Sequence, residues 1–202
     1  MPGSVFEAGR CLIRAPHRLF FMGGLGALIV GMLWWAPVLV MRWAGMASAY
    51  PVPAIWLHAW LMTVGVFPFF VFGFLLTALP RWVAAPPVSP LIYRSMAAVL
   101  YAGYALTVVG TLAGMHFLRA GIALTALAWA LGLGVLMRCV LVARAPALMH
   151  ARWSIIVTAV GCIGALAGLG ALGQARQALF AAMPTLALWG FVGPIVFVVA
   201  HR

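Results

Sequence analysis

Long apolar runs alternate with short polar or proline-rich connections along the chain. An α-helix needs about 20 consecutive apolar residues to cross the hydrocarbon core of a bilayer. Runs of that length occur at residues 19–41, 53–79, 95–117, 120–142, 153–173 and 182–200. The pattern therefore predicts an all-α polytopic transmembrane helix bundle of about six spans, which forms a single transmembrane domain over residues 1–202.

The composition favours an integral membrane protein. The chain is 67% hydrophobic and only 6% charged, whereas soluble domains carry about 25% charged residues. The net charge of +11 comes entirely from arginine, and the only acid is Glu7. Because the arginines stand singly or in pairs at the ends of apolar runs, they suit lipid headgroups rather than nucleic acid. We expect the lipid bilayer as a partner and no nucleic acid.

The arginines also predict the orientation, since cytoplasmic loops carry an excess of positive residues. With the N-terminus inside, the cytoplasmic side receives Arg10, Arg14, Arg18, Arg81, Arg94, Arg138, Arg144, Arg152 and Arg202. The outer side receives only Arg42, Arg119 and Arg176. This asymmetry predicts an N-in, C-in topology. Trp34, Trp35, Trp43, Trp56, Trp82 and Trp153 lie near predicted span ends, as an interfacial aromatic belt would.

Histidine is the main side chain left for chemistry. The sequence offers no carboxylate pair, no Ser-His-Asp triad and no glycine-rich phosphate loop. The cysteines Cys11, Cys139 and Cys162 are widely spaced, without the CxxCH of a covalent haem. Imidazole is a common metal ligand and an axial ligand of haem iron, so two facing histidines would suffice for a b-type haem.

The predicted topology sorts the five histidines by side. His58 and His116 fall at the outer ends of the second and third spans, and His17, His150 and His201 fall at inner ends. For His17 and His150, an interfacial position with a wet polar tip is the simpler interpretation. His58, His201 and His116 are the candidate cofactor ligands.

His58 has the most suggestive neighbourhood. At helical spacing it is followed on one face by Met62, Gly65, Phe69 and Gly73. We expect the glycines to leave room beside the imidazole and Pro68 to kink the helix. A similar stripe of Phe197, Pro194 and Gly190 precedes His201.

Two further patterns have alternative interpretations. Met41, Met46, Met62 and Met115 gather on the predicted outer side, and thioether with imidazole suits copper, so His58, Met62 and His116 are candidate metal ligands. Methionine is also ordinary core filler. In the fifth span, Gly161, Gly164 and Gly168 predict close helix packing, although a flat cofactor would need small residues too.

The segment GFLLTALPRW, residues 73–82, resembles the GFLLTAVPNW signature of the NnrS family. In that family the signature follows a W-H-A-H-E-M element, which corresponds here to Trp56-Leu57-His58-Ala59-Trp60-Leu61-Met62. His58 and Met62 match the family residues, whereas Trp60 replaces the second histidine and Leu61 the glutamate. PHRLFF, residues 16–21, and the terminal GFVGPIVFVVAHR are weaker matches to other spans of the family.

The resemblance implies a multi-pass protein of the bacterial inner membrane with haem b, copper or both, and a role in nitric oxide or nitrosative-stress physiology. It also implies about twice as many spans, so we expect a fragment or a half-length relative that pairs with another copy or another membrane subunit. The rival hypotheses are a copper- or other metal-handling protein and a non-catalytic membrane scaffold. No proton donor or substrate pocket can be named, which leaves enzymatic activity open.

Overall fold

A computed structural model describes residues 12–46, 50–144, 149–173 and 177–201, and these contain helices but no strand. The helices are α1 (Pro16–Trp43), α2 (Ala54–Trp82), α3 (Pro90–Ala113), α4 (Met115–Leu141), α5 (Met149–Gly173) and α6, from Gln177 to Ala200. Each of the six contains a stretch long and apolar enough to cross a membrane. The predicted all-α bundle of six spans is confirmed.

Pairs of contacting residues show how the helices run. Along α1 and α3, Tyr101 donates to the carbonyl of Leu19 and Tyr104 to that of Ala27, so both helices rise in the same direction. α2 runs against them, because Met62 lies beside Gly31 whereas the later Gly73 lies beside Phe20. The remaining contacts continue this alternation, so residues 13 and 201 lie at the same end of the bundle. We call this the predicted cytoplasmic end.

The third and fourth helices form the most extensive pairing in the bundle. Gly103 lies against the backbone of Thr125, and Gly121 against that of Thr107, so the two main chains approach closely. Gly114 joins the helices with φ of 107°, a left-handed conformation that favours glycine. The turn therefore lies at Gly114 and not between the predicted spans 95–117 and 120–142, and His116 belongs to the first turn of α4 rather than to the end of α3.

Two helices contain a π-helical segment, Leu61–Val66 in α2 and Leu188–Val192 in α6. In each case a proline, Pro68 or Pro194, follows within two residues. A π segment inserts one residue into the helix and turns the following side chains relative to an unbroken α-helix. Pro68 therefore accompanies a local change of helix type.

The core lies where α2, α4, α5 and α6 meet, and large aromatic rings fill it. On α5, Gly161 accommodates the ring of Trp129 and Gly168 that of Trp60, whereas Gly164 has open space. Close packing is thus confirmed at Gly161 and Gly168 but not at Gly164. The small residues receive indole rings rather than another helix backbone.

Candidate ligand site at His58

His58 lies in the first turns of α2 with its ring against Trp35 of α1. The two rings are stacked, with centroids 4.2 Å apart and planes 14° from parallel. The imidazole is half-buried, and its Nδ1 is buried without a hydrogen-bond partner. Buried polar atoms nearly always have a partner, so this nitrogen is an anomaly that a ligand could resolve.

An aromatic cluster surrounds this histidine. Trp34 packs against Trp35, with centroids 6.0 Å apart, and against Tyr50, at 5.6 Å. The indole N–H of Trp34 donates to Thr111 Oγ1 at 2.8 Å. Trp34 is therefore an interior residue joined to α3, not a member of the interfacial belt that was predicted. Stacking on Trp35 fixes the plane of the imidazole, with Nδ1 buried at the edge of the ring.

The predicted stripe below His58 does face α1 and α3, but it holds no spare volume. Met62 reaches toward Gly31, beside the hydroxyl of Tyr104. A side-chain carbon at Gly65 would lie 3.0 Å from the Tyr104 ring, and one at Gly73 would lie 2.8 Å from Phe21. The expectation that these glycines leave room beside the imidazole is wrong, because rings of neighbouring helices already occupy that space.

Trp60, two residues after His58, points in another direction. Its indole is 1% exposed and stacks on Phe180 of α6 with centroids 5.0 Å apart. Its ring also occupies the space at Gly168 of α5. Residues two apart on a helix do not share a face, so positions 58 and 60 face different neighbours.

Comparison with known proteins identifies the family of this chain. The family model described as NnrS protein matches residues 11–202. The chain belongs to the NnrS family. No curated protein and no solved structure matches it. The resemblance of residues 56–82 to NnrS is thus part of a match over most of the chain.

The other candidate ligands of this NnrS-family chain lie apart from His58. His116 is exposed at the start of α4, at the same end of the bundle. His201 follows the last turn of α6 at the opposite end; its Nδ1 lies 3.1 Å from the carbonyl of Phe197 and its ring 4.0 Å from the Phe197 ring. Within the described ranges, no group of three His, Cys, Asp or Glu side chains could hold a metal ion.

Several residues with predicted roles lie outside the described ranges, namely Glu7, Arg10, Cys11, Arg176 and Arg202. Cys139 and Cys162 are buried free thiols. Sequence reasoning missed the partner of His58, since Trp35 was assigned to the interface. It also treated His17 as interfacial, whereas its Nδ1 lies 3.4 Å from Thr77 Oγ1 in the bundle.

Proposed function

We propose that this NnrS-family chain is a haem-binding membrane protein of the nitric oxide or nitrosative-stress response, with His58 as the axial ligand. The family match and the implied haem content of NnrS proteins support the cofactor. The observation that carries the residue assignment is the buried Nδ1 of His58, which has no partner in the described chain.

We propose a haem held by one imidazole of the chain. His201 lies at the other end of the bundle from His58, and His116 is exposed at the start of α4. A metal-bound histidine usually donates its second ring N–H to an acceptor. No such acceptor contacts Nδ1 here, so the stacked ring of Trp35 is what orients the imidazole in the described chain. A haem held by His58 would supply iron that can bind a diatomic gas such as nitric oxide.

The protein's own contribution is orientation and exclusion of water. The Trp35 indole restricts rotation of the His58 ring, and the aromatic packing of α1 with α2 keeps the imidazole half-buried. We propose that the site binds the gas.

The test is a reduced-minus-oxidised and pyridine haemochrome spectrum of the protein purified from haem-replete cells. We expect a b-type spectrum that is lost in His58→Ala and kept in the matched control His150→Ala. Added imidazole should restore the spectrum in His58→Gly, which separates ligation from misfolding. Nitric oxide should shift the Soret band of the reduced protein. Retention of full haem by His58→Ala would contradict the assignment.

Copper is the second candidate, and the shared orientation of two side chains favours it. His58 and Met62 both face α1, one beside Trp35 and the other beside Gly31. Imidazole and thioether together suit copper. Metal analysis separates the candidates, because copper binding should fall in both His58→Ala and Met62→Leu, whereas haem should fall only in the first.

A further inference from the structure

A mainly apolar cavity with a group of polar side chains lies at the predicted cytoplasmic end, where the start of α1, the end of α2 and the start of α3 meet. Its volume is about 340 Å³. The polar part of its lining consists of Arg14, His17, Thr77, Arg81 and Tyr93. Leu76, Pro80 and Val88 give it an apolar wall beside these polar groups.

Hydrogen bonds hold the segment that carries Arg14 in place. The carbonyl of Ile13 accepts from Tyr93 Oη at 2.8 Å and from Arg94 Nε and Nη2 at 3.1 and 3.0 Å. Three donors on one carbonyl tie the segment before α1 to the first turn of α3. Arg14, the next residue, is thereby kept at the cavity rather than at the end of a loose segment.

The orientation of His17 follows from counting protons. Thr77 Oγ1 donates its only proton to the carbonyl of Gly73 at 2.9 Å. Its contact of 3.4 Å with His17 Nδ1 must therefore use an N–H of the imidazole as donor. Nε2 then remains for a ligand, as an acceptor in the neutral ring and as a donor in the charged ring.

The charge in this cavity is uncompensated within the described chain. Arg14 and Arg81 contribute two positive charges, and no acidic side chain occurs in the described ranges. The N-terminus of α1 adds to them, because Ala15 provides no side-chain cap and the helix dipole is positive there. Arginine binds phosphate through paired N–H groups in a fork that matches the anion.

We propose that this cavity binds a phosphate group, with Arg14 and Arg81 as its donors and His17 beside them. The apolar wall suits a phosphate carried on a lipid headgroup, while the same donors would accept free phosphate. The site lies at the opposite end of the bundle from His58, so it does not depend on the haem proposal.

The test uses the purified chain in a neutral maltoside detergent and native mass spectrometry. The probes are a short-chain phosphatidylglycerol, the phosphatidylcholine with the same acyl chains, and inorganic phosphate. The variant is Arg14→Gln/Arg81→Gln. The matched control is Arg144→Gln/Arg152→Gln, which removes the same charge from exposed positions at the same end without touching the cavity.

We expect saturable binding of one phosphatidylglycerol per chain, weaker binding of phosphatidylcholine, and a loss of affinity in the cavity variant only. If each cavity arginine contacts the bound phosphate and contributes about a fivefold change in affinity, the cavity double variant should lose roughly 25-fold, whereas Arg144 and Arg152 lie outside the cavity. Competition by inorganic phosphate at similar concentrations supports the site with free phosphate as its source. The proposal is overturned if the control variant loses as much affinity as the cavity variant. It is also overturned if neither phosphatidylglycerol nor inorganic phosphate binds saturably.

Discussion

The carbonyl of Val64 provides a sharp test of how α2 is held in the bundle. Val64 lies in the π-helical segment Leu61–Val66. In an unbroken α-helix its oxygen would accept from the amide of residue 68, but Pro68 has no N–H. The indole Nε1 of Trp129, on α4, donates to this oxygen at 3.2 Å. We predict that Trp129 and Pro68 are energetically coupled, because an amide at residue 68 would let the segment return to α-helical geometry and give Val64 a second donor.

The magnitude follows from the cost of an unpaired buried carbonyl. Trp129→Phe removes the indole donor of Val64, which costs about 1–3 kcal/mol. The smaller ring also loses packing contacts with Gly161 and Phe191. In a Pro68→Ala background the amide of residue 68 can replace the indole. The packing loss occurs in both backgrounds and cancels, so the coupling energy should be about 1 kcal/mol.

The assay is unfolding in mixed detergent micelles for the wild type, both single variants and the double variant. Helix content and elution volume must match in all four proteins before the cycle is calculated. The double variant should be about 1 kcal/mol more stable than the sum of the single effects predicts. A coupling energy of zero would mean that Val64 finds another donor and would refute the role assigned to Trp129.

Two further substitutions test the packing around α2. Gly168→Leu should lower the thermal midpoint, because the new side chain overlaps the indole of Trp60 and overpacking costs about 1–3 kcal/mol. The control Gly164→Leu should have little effect, because that position is open. Trp35→Ala should uncover the imidazole of His58 and increase its rate of modification by diethylpyrocarbonate, measured by mass spectrometry; an unchanged rate would contradict the stacking.

The number of spans and the face of α2 could be predicted from the sequence because each depends on one segment at a time. Apolar length determines whether a segment can cross a bilayer. Spacing determines which side chains share a face, and Met62 does lie with His58 toward α1. Both inferences require only the geometry of a single helix.

What a face meets could not be predicted in this way. Gly65 and Gly73 were correctly assigned to one stripe, but the rings that occupy the space beside them come from Tyr104 and Phe21 on other helices. The turn before α4 was misplaced for a related reason. Gly114 lies within an apolar stretch, so no polar run marks the turn. The predicted boundary between the two spans was placed beside the polar Arg119 instead.

The substitution Trp60→His restores the second histidine of the family motif and tests whether positions 58 and 60 can bind one iron. Trp60→His places an imidazole between Gly168 and Phe180, away from Trp35 and His58. Truncating a buried tryptophan to alanine costs about 3–5 kcal/mol; histidine fills part of that space, so we expect a loss of about 2–4 kcal/mol, read as a lower thermal midpoint.

We expect no gain in haem content and no bis-imidazole spectrum in Trp60→His. Trp60→Phe, which keeps an aromatic ring on Phe180, is the control for packing and should lose less stability. A low-spin spectrum that appears in Trp60→His and vanishes when His58 is also replaced would show that the two positions reach one iron. That result would overturn the separation of their faces, and with it the single-imidazole proposal.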